Sequence, residues 1–126
     1  MTKLTIIKKN EDFQGIFEKG HSIYGRYLVV YFLHTSFDYG RFGFCVGRKI
    51  GNAVIRNRIK RLLREAVSVQ IMDDLKGLDV LLVARNPIKE ASLANIIIEI
   101  THILGEVRKR QPRKSGIFER KGEDSR

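Results

Sequence analysis

The chain has 126 residues, with 24 Lys and Arg against 14 Asp and Glu, a net charge of +10 and a sequence pI near 10.1. That length bounds one domain with a modest core, and 43% hydrophobic content excludes wholesale disorder. A single cysteine, Cys45, excludes an internal disulfide, and the longest apolar run, Val80-Leu81-Leu82-Val83-Ala84, is far too short to span a membrane.

The N-terminus lacks an apolar stretch of signal-peptide length, so a cytoplasmic, membrane-free protein is expected. Leu4 to Lys9 is an apolar-then-basic lead-in. Asn10 is placed to cap a helix whose first turn carries Glu11 and Asp12 at the positive end of the helix dipole. Phe13, Ile16 and Phe17 share one face of that helix. Gly15 weakens it, so packing on a sheet must hold it, and Gly20 stops it.

Arg26 to His34 reads as a strand rich in aromatic and β-branched residues. Its two faces, Leu28-Val30-Phe32 and Tyr27-Val29-Tyr31-Leu33, are both apolar enough to be covered, one by helices and the other by a ligand. Asp38-Tyr39-Gly40 turns the chain into a second strand, Arg41 to Arg48. Phe42, Phe44 and Val46 point one way there, while Gly43, Cys45 and Gly47 leave the other face almost bare. Small residues on a sheet face admit either a packed helix or a nucleotide.

The stretch Gly51 to Val67 reads as the next helix, running to about Ile71 or Met72, with an apolar stripe of Ile55, Ile59, Leu62, Leu63 and Ala66. Arg56, Asn57, Lys60, Arg61 and Arg64 fall within an arc of about 140° on the other side, with Arg58 at its boundary. Glu65 is the one acid in this stretch, so the mixed-sign pairing of an ordinary solvated helix is missing. Arg predominates on that face, and its planar fork suits phosphates and base edges better than solubility alone requires. The helix is built to meet a polyanion, with nucleic acid favoured over a membrane surface.

Asp73 to Gly77 reads as a loop, Leu78 to Arg85 as a buried strand, and Asn86-Pro87 as a break. Ser92 caps a last helix with a wide apolar face of Leu93, Ile96, Ile97, Ile100, Ile103, Leu104 and Val107. The element order α-β-β-α-β-α defines an α+β fold, a two-layer α/β sandwich. Residues 1–107 form one RNA-binding domain in this reading, and residues 108–126 a basic, disordered tail.

Lys49-Ile50-Gly51-Asn52-Ala53-Val54-Ile55-Arg56-Asn57-Arg58-Ile59-Lys60-Arg61-Leu62-Leu63-Arg64 closely resembles the Arg-Asn-Arg signature of the bacterial ribonuclease P protein component. The similarity extends to Lys8-Lys9-Asn10-Glu11-Asp12-Phe13 with Phe17, to Arg26 through Tyr31, and to Arg85-Asn86-Pro87. The resemblance implies a ribosomal-protein-like fold with a left-handed βαβ crossover at the basic helix, where parallel strands are ordinarily joined right-handed. It implies a subunit of a ribonucleoprotein endonuclease, a hydrolase that removes the 5′ leader of precursor tRNA. The RNA subunit and substrate would hold the magnesium ions, and this chain no cofactor. The partners implied are the catalytic RNA and precursor tRNA, with no membrane and no small-molecule substrate.

Carried over residue by residue, Asn52, Arg56, Asn57, Arg58, Lys60, Arg61 and Arg64 would bind the catalytic RNA. Phe13, Phe17 and Tyr31, with Arg48 and Lys49, would bind the leader. Phe13 and Phe17 fit a core equally well. Where many family members carry Ser-Val-Ser-Lys-Lys, this chain reads Cys45-Val46-Gly47-Arg48-Lys49, keeping the charge and losing two hydroxyls.

The residues themselves supply no conventional active site. His21, His34 and His102 stand alone, and the acid pairs Asp73-Asp74 and Glu123-Asp124 fall in loop and tail. Cys45 has no histidine placed to activate it and reads as a packing residue. The chief rival is a non-catalytic ribosomal or ribosome-assembly RNA-binding protein on the same sandwich. A DNA-binding helix and an autonomous nuclease are weaker rivals.

Overall fold

The computed structural model describes residues 5–70 and 75–110. Its elements are α1 (Asn10–Lys19), β1 (His21–Tyr24), β2 (Leu28–His34), β3 (Arg41–Cys45), α2 (Ala53–Ser68), β4 (Leu78–Ala84), a 3-10 turn (Asn86–Glu90) and α3 (Leu93–Lys109). The strands form one sheet in the order β1-β2-β4-β3. β1 and β4 are antiparallel to β2, and β3 runs parallel to β4, so α2 is the crossover of a βαβ unit.

Alternation along the strands separates two layers. Leu28, Val30 and Phe32 of β2, Phe42 of β3 and Val80 and Leu82 of β4 are buried with Ile59, Leu63, Ala66 and Val67 of α2 and the α3 stripe Ile96, Ile100, Ile103, Leu104 and Val107. On the opposite face, Ile7, Ile16 and Leu81 form a smaller cluster with Phe13, Tyr31, Leu33, Cys45 and Val83 packed against it. α2 and α3 thus cover one face, and α1, with Ile7 from the segment before it, covers part of the other.

Several local expectations are corrected. The sheet gains β1, which sequence pattern misses because it is four residues long between Gly20 and Gly25 and Ile23 is its one apolar residue packed on the main core. β2 starts at Leu28 rather than Arg26. The N–H groups of Arg26, Tyr27 and Leu28 all donate to the Glu99 carboxylate at 2.8 Å, which ties the β1–β2 turn to α3. Arg85 completes this clamp by donating from Nη1 to the carbonyl of Gly25 at 2.6 Å. A Cβ on Gly25 would lie 2.6 Å from the Glu99 carboxylate, so only glycine admits that carboxylate so close to the turn.

β3 ends at Cys45, three residues early, because Gly47 to Ile50 turn toward α2, with the Ile50 N–H donating to the Gly47 carbonyl. β4 likewise ends at Ala84. α1 is preceded by Lys9 at the cap position with no side-chain cap bond, so Asn10 is the first helical residue and not the cap. α2 stops at Ser68, short of Ile71 or Met72. The Ser68 hydroxyl donates to the Glu65 carbonyl and the Gln70 amide to the Ala66 carbonyl, so side chains satisfy the last carbonyls where the helix would otherwise continue. α3 runs through Arg108 and Lys109, with the Ser92–Asn95 capping box at its start. Leu4, Ile71 to Asp74 and the tail from Gln111, including Glu123-Asp124, lie outside the described residues.

Candidate nucleic-acid interface

The face that α1 covers incompletely can be built row by row from strand register. Tyr24, Val29, Val83 and Cys45 form one row across β1, β2, β4 and β3; Ser22, Tyr31, Leu81 and Gly43 form the next; Leu33, Asp79 and Arg41 form the third. α1 lies on the last two. Phe13 packs onto Gly43, where a Cβ would sit 2.7 Å from its ring. Gly43 is therefore not bare, as its lack of a side chain suggests, but filled by a helix residue. Gly47 is the position that stays open, and a Cβ there would meet nothing within 4 Å.

The three aromatic candidates separate accordingly. Phe13 is half-buried in the small cluster. Phe17 is 41% exposed and meets Tyr31 edge-on, ring centroids 4.8 Å apart at 75°. Tyr31 is half-buried, part of its surface under Phe17. Beside this pair the first row holds Val29, buried at 8% exposure, and Val83 and Cys45, both half-buried against the small cluster, and the chain beyond Cys45 runs out to exposed Gly47, Arg48 and Lys49. This apolar strip, the trough, is bordered by the Phe17–Tyr31 pair and ends at two cations. Burial raises the Cys45 thiol, and the Lys60 ammonium pulls weakly the other way, so Cys45 is a neutral part of the floor at physiological pH.

Besides this packing, an ion-pair knot that sequence reading overlooks ties α1 to β3 and β4. Arg41 grips the buried Asp79 with two bonds, Nε to Oδ1 at 2.9 Å and Nη2 to Oδ2 at 2.6 Å, and reaches Asp12 of α1 at 3.3 Å. The hydrogen bonds to Asp79 raise the Arg41 pKa despite its burial, so the guanidinium stays charged. The one available signal was a lone acid in the otherwise apolar run of β4.

The second surface is the outer side of α2. Asn57, Arg58, Lys60, Arg61 and Arg64 are exposed, and Arg56 is half-buried with an Nε that has no partner. Among the described residues none of these cations pairs with a carboxylate. Arg64 lies over the Phe44 ring at 5.9 Å. Asn52 is the helix cap, its Oδ1 accepting from the Ile55 N–H at 3.0 Å, so its first task is local. Arg48 and Lys49 join the two surfaces, as both lie in the short link between trough and helix. At the end of the sheet where β2 begins and β4 ends, Arg26, Tyr27, Asn86, Pro87, Lys89 and Glu90 line an open groove of about 510 Å³. Among the described residues no three His, Cys, Asp or Glu side chains are grouped to hold a metal ion, and no helix is long and apolar enough to cross a membrane.

Residues 1–108 match the family model described as Ribonuclease P. The ribonuclease P protein component of Oceanobacillus iheyensis is 42% identical over 105 residues, covering 82% of this chain and 87% of that one. The component of Staphylococcus haemolyticus is 40% identical over 104 residues, covering 82% and 90%. Among solved structures, the RNase P protein of Staphylococcus aureus superposes with a TM-score of 0.71 at 38% identity, covering 83% of this chain and 96% of the other. That of Thermotoga maritima gives 0.69 at 29% identity, covering 79% and 94%.

Proposed function

The chain belongs to the ribonuclease P protein family, and on that premise we propose that it divides two RNAs between its two surfaces, the catalytic RNA on α2 and the 5′ leader of precursor tRNA in the trough. The observation that carries this reading is the partly exposed Phe17–Tyr31 pair beside half-buried Val83 and Cys45, with exposed Arg48 and Lys49 just beyond Cys45. Unpaired bases stack on aromatic faces at about 1–3 kcal/mol each with little sequence demand, and phosphates follow the cations. On α2, Arg56, Arg58, Lys60, Arg61 and Arg64, with Asn57 between, offer charges that no acid of the described chain neutralises.

Hydrolysis of the leader bond belongs to the RNA subunit in this reading, with magnesium held by that RNA and the substrate. The protein's residues bind and orient. Asp12 and Asp79 already serve Arg41. The family match favours this reading over a ribosomal-RNA binder on the same sandwich.

The test is leader-dependent affinity of the assembled holoenzyme. Tyr31→Ala should weaken precursor tRNA binding by about 1–3 kcal/mol and leave mature tRNA unchanged, since only the precursor has a leader. Thermal melting is the control for folding. Equal loss for both RNAs from a folded variant would remove the leader from the trough.

A further inference from the structure

The loop between β2 and β3 carries two large aromatics that the trough does not use. Phe37 and Tyr39 are 40% and 43% exposed, yet their rings are stacked, with centroids 5.1 Å apart and planes 16° from parallel. The Arg41 guanidinium, fixed by Asp79 and Asp12, lies 4.9 Å from the Phe37 centroid. The loop backbone is held as firmly. The Phe37 N–H donates to the Thr35 hydroxyl, the Thr35 N–H to the Gly77 carbonyl, and the Gly77 N–H to the Tyr39 carbonyl. Gly77 takes a left-handed φ of 74°, and Gly40 lies where a Cβ would be 2.6 Å from the Leu75 carbonyl. A core gains nothing from two rings this exposed, and a solubilising loop has no use for them. A fixed aromatic pair backed by a cation is the arrangement on which an unpaired base stacks.

We propose that Phe37 and Tyr39 form a second stacking platform, occupied by an unpaired base of the leader's distal part, upstream of the nucleotides at Tyr31. This rests on the trough holding the leader. The route follows α1: Phe17 stands at Tyr31, Phe13 over Gly43, and Asp12 at Arg41, two strands and so roughly 10 Å across the sheet from Tyr31. Exposed Lys8 and Lys9 at the start of α1, and exposed Lys76 beside Gly77, supply phosphate contacts along that edge; Glu11 and Asp38 are the opposing acids there. A leader that fills only the trough cannot reach the platform, and a longer one can.

Holoenzyme binding is measured with precursors carrying leaders of about 3 and about 12 nucleotides, bracketing the span of a single-strand site. Tyr39→Ala should weaken the long-leader precursor about fivefold or more. It should leave the short-leader precursor and assembly with the catalytic RNA unchanged, and Tyr39→Phe should restore wild-type binding. Equal effects on both precursors, no effect on either, or weakened assembly would each overturn the proposal; the last would place a base of the catalytic RNA there. Should Tyr39→Ala melt early, abasic substitutions in the distal leader against the wild-type protein give the same answer. Loss of affinity supports the platform, and no loss overturns it. Failure of the trough itself reads differently, as Tyr31→Ala leaving both precursors unaffected.

Discussion

Tyr31 and Arg41 share one face of the sheet, two strands apart, and do different work there. Tyr31 keeps part of its ring open beside Phe17, whereas Arg41 is spent on Asp79 and Asp12. Removing Arg41 leaves the Asp79 carboxylate buried at 4% exposure without its cation, so Arg41→Ala should cost about 3–5 kcal/mol in chemical denaturation. Replacing both partners with apolar residues of similar volume should recover much of that loss; a double variant as unstable as the single one would show that the pair is not the source. His34 tests burial differently. Burial and then the nearby charge of His21 lower its pKa, and its Nε2 is buried without a partner. A lowered folded-state pKa stabilises the fold above the ordinary imidazole value and loses that contribution as pH falls through the folded value. Between about pH 7 and about pH 5, wild type should lose stability faster than His34→Leu. Parallel pH profiles would contradict this. Neither feature was legible beforehand, because a lone Arg, Asp or His in a strand looks the same whether it meets solvent or a buried partner.

At the scale of elements, α2 was the most readable part of the chain. The stripe at Ile55, Ile59, Leu62, Leu63 and Ala66 faces the core and the arginines face outward, because a long helix with a 3.6-residue period leaves few alternatives. Arg56→Ala, Arg61→Ala and Arg64→Ala should each weaken assembly with the catalytic RNA and flatten its salt dependence, by up to about one unit of log–log slope for each phosphate no longer neutralised. Unchanged assembly of the triple variant across salt concentrations would take this helix out of the interface. β1 was illegible for the opposite reason. Four residues carry too little period, and the strand exists through its pairing with β2 and the Glu99 clamp on the following turn, both remote in sequence. The second face of β3 was half legible. Its small residues announced a close approach, but whether helix or nucleotide makes it depends on where α1 lies. α1 takes Gly43 through Phe13 and leaves Gly47 free.

For the whole molecule, a net charge of +10 favours a polyanionic partner but does not by itself assign a surface to each RNA. The proposed division rests on the layering. Two long helices bury one sheet face, and their outer side is free for one partner. The short helix α1, with Ile7 before it, covers only part of the other face, where the proposal places a second, with Arg48 and Lys49 between them. Family membership joins the chain to RNA-based tRNA processing, and the layering proposes which RNA goes where. The most direct test is a crossed comparison of Tyr31→Ala and Arg61→Ala in the same holoenzyme, measuring assembly with the catalytic RNA and the ratio of precursor to mature tRNA affinity. Two separate surfaces require that Tyr31→Ala collapse the ratio and spare assembly, while Arg61→Ala weakens assembly and leaves the ratio of the assembled enzyme intact. If both variants lower both quantities together, the trough and the helix serve one RNA, and the division fails.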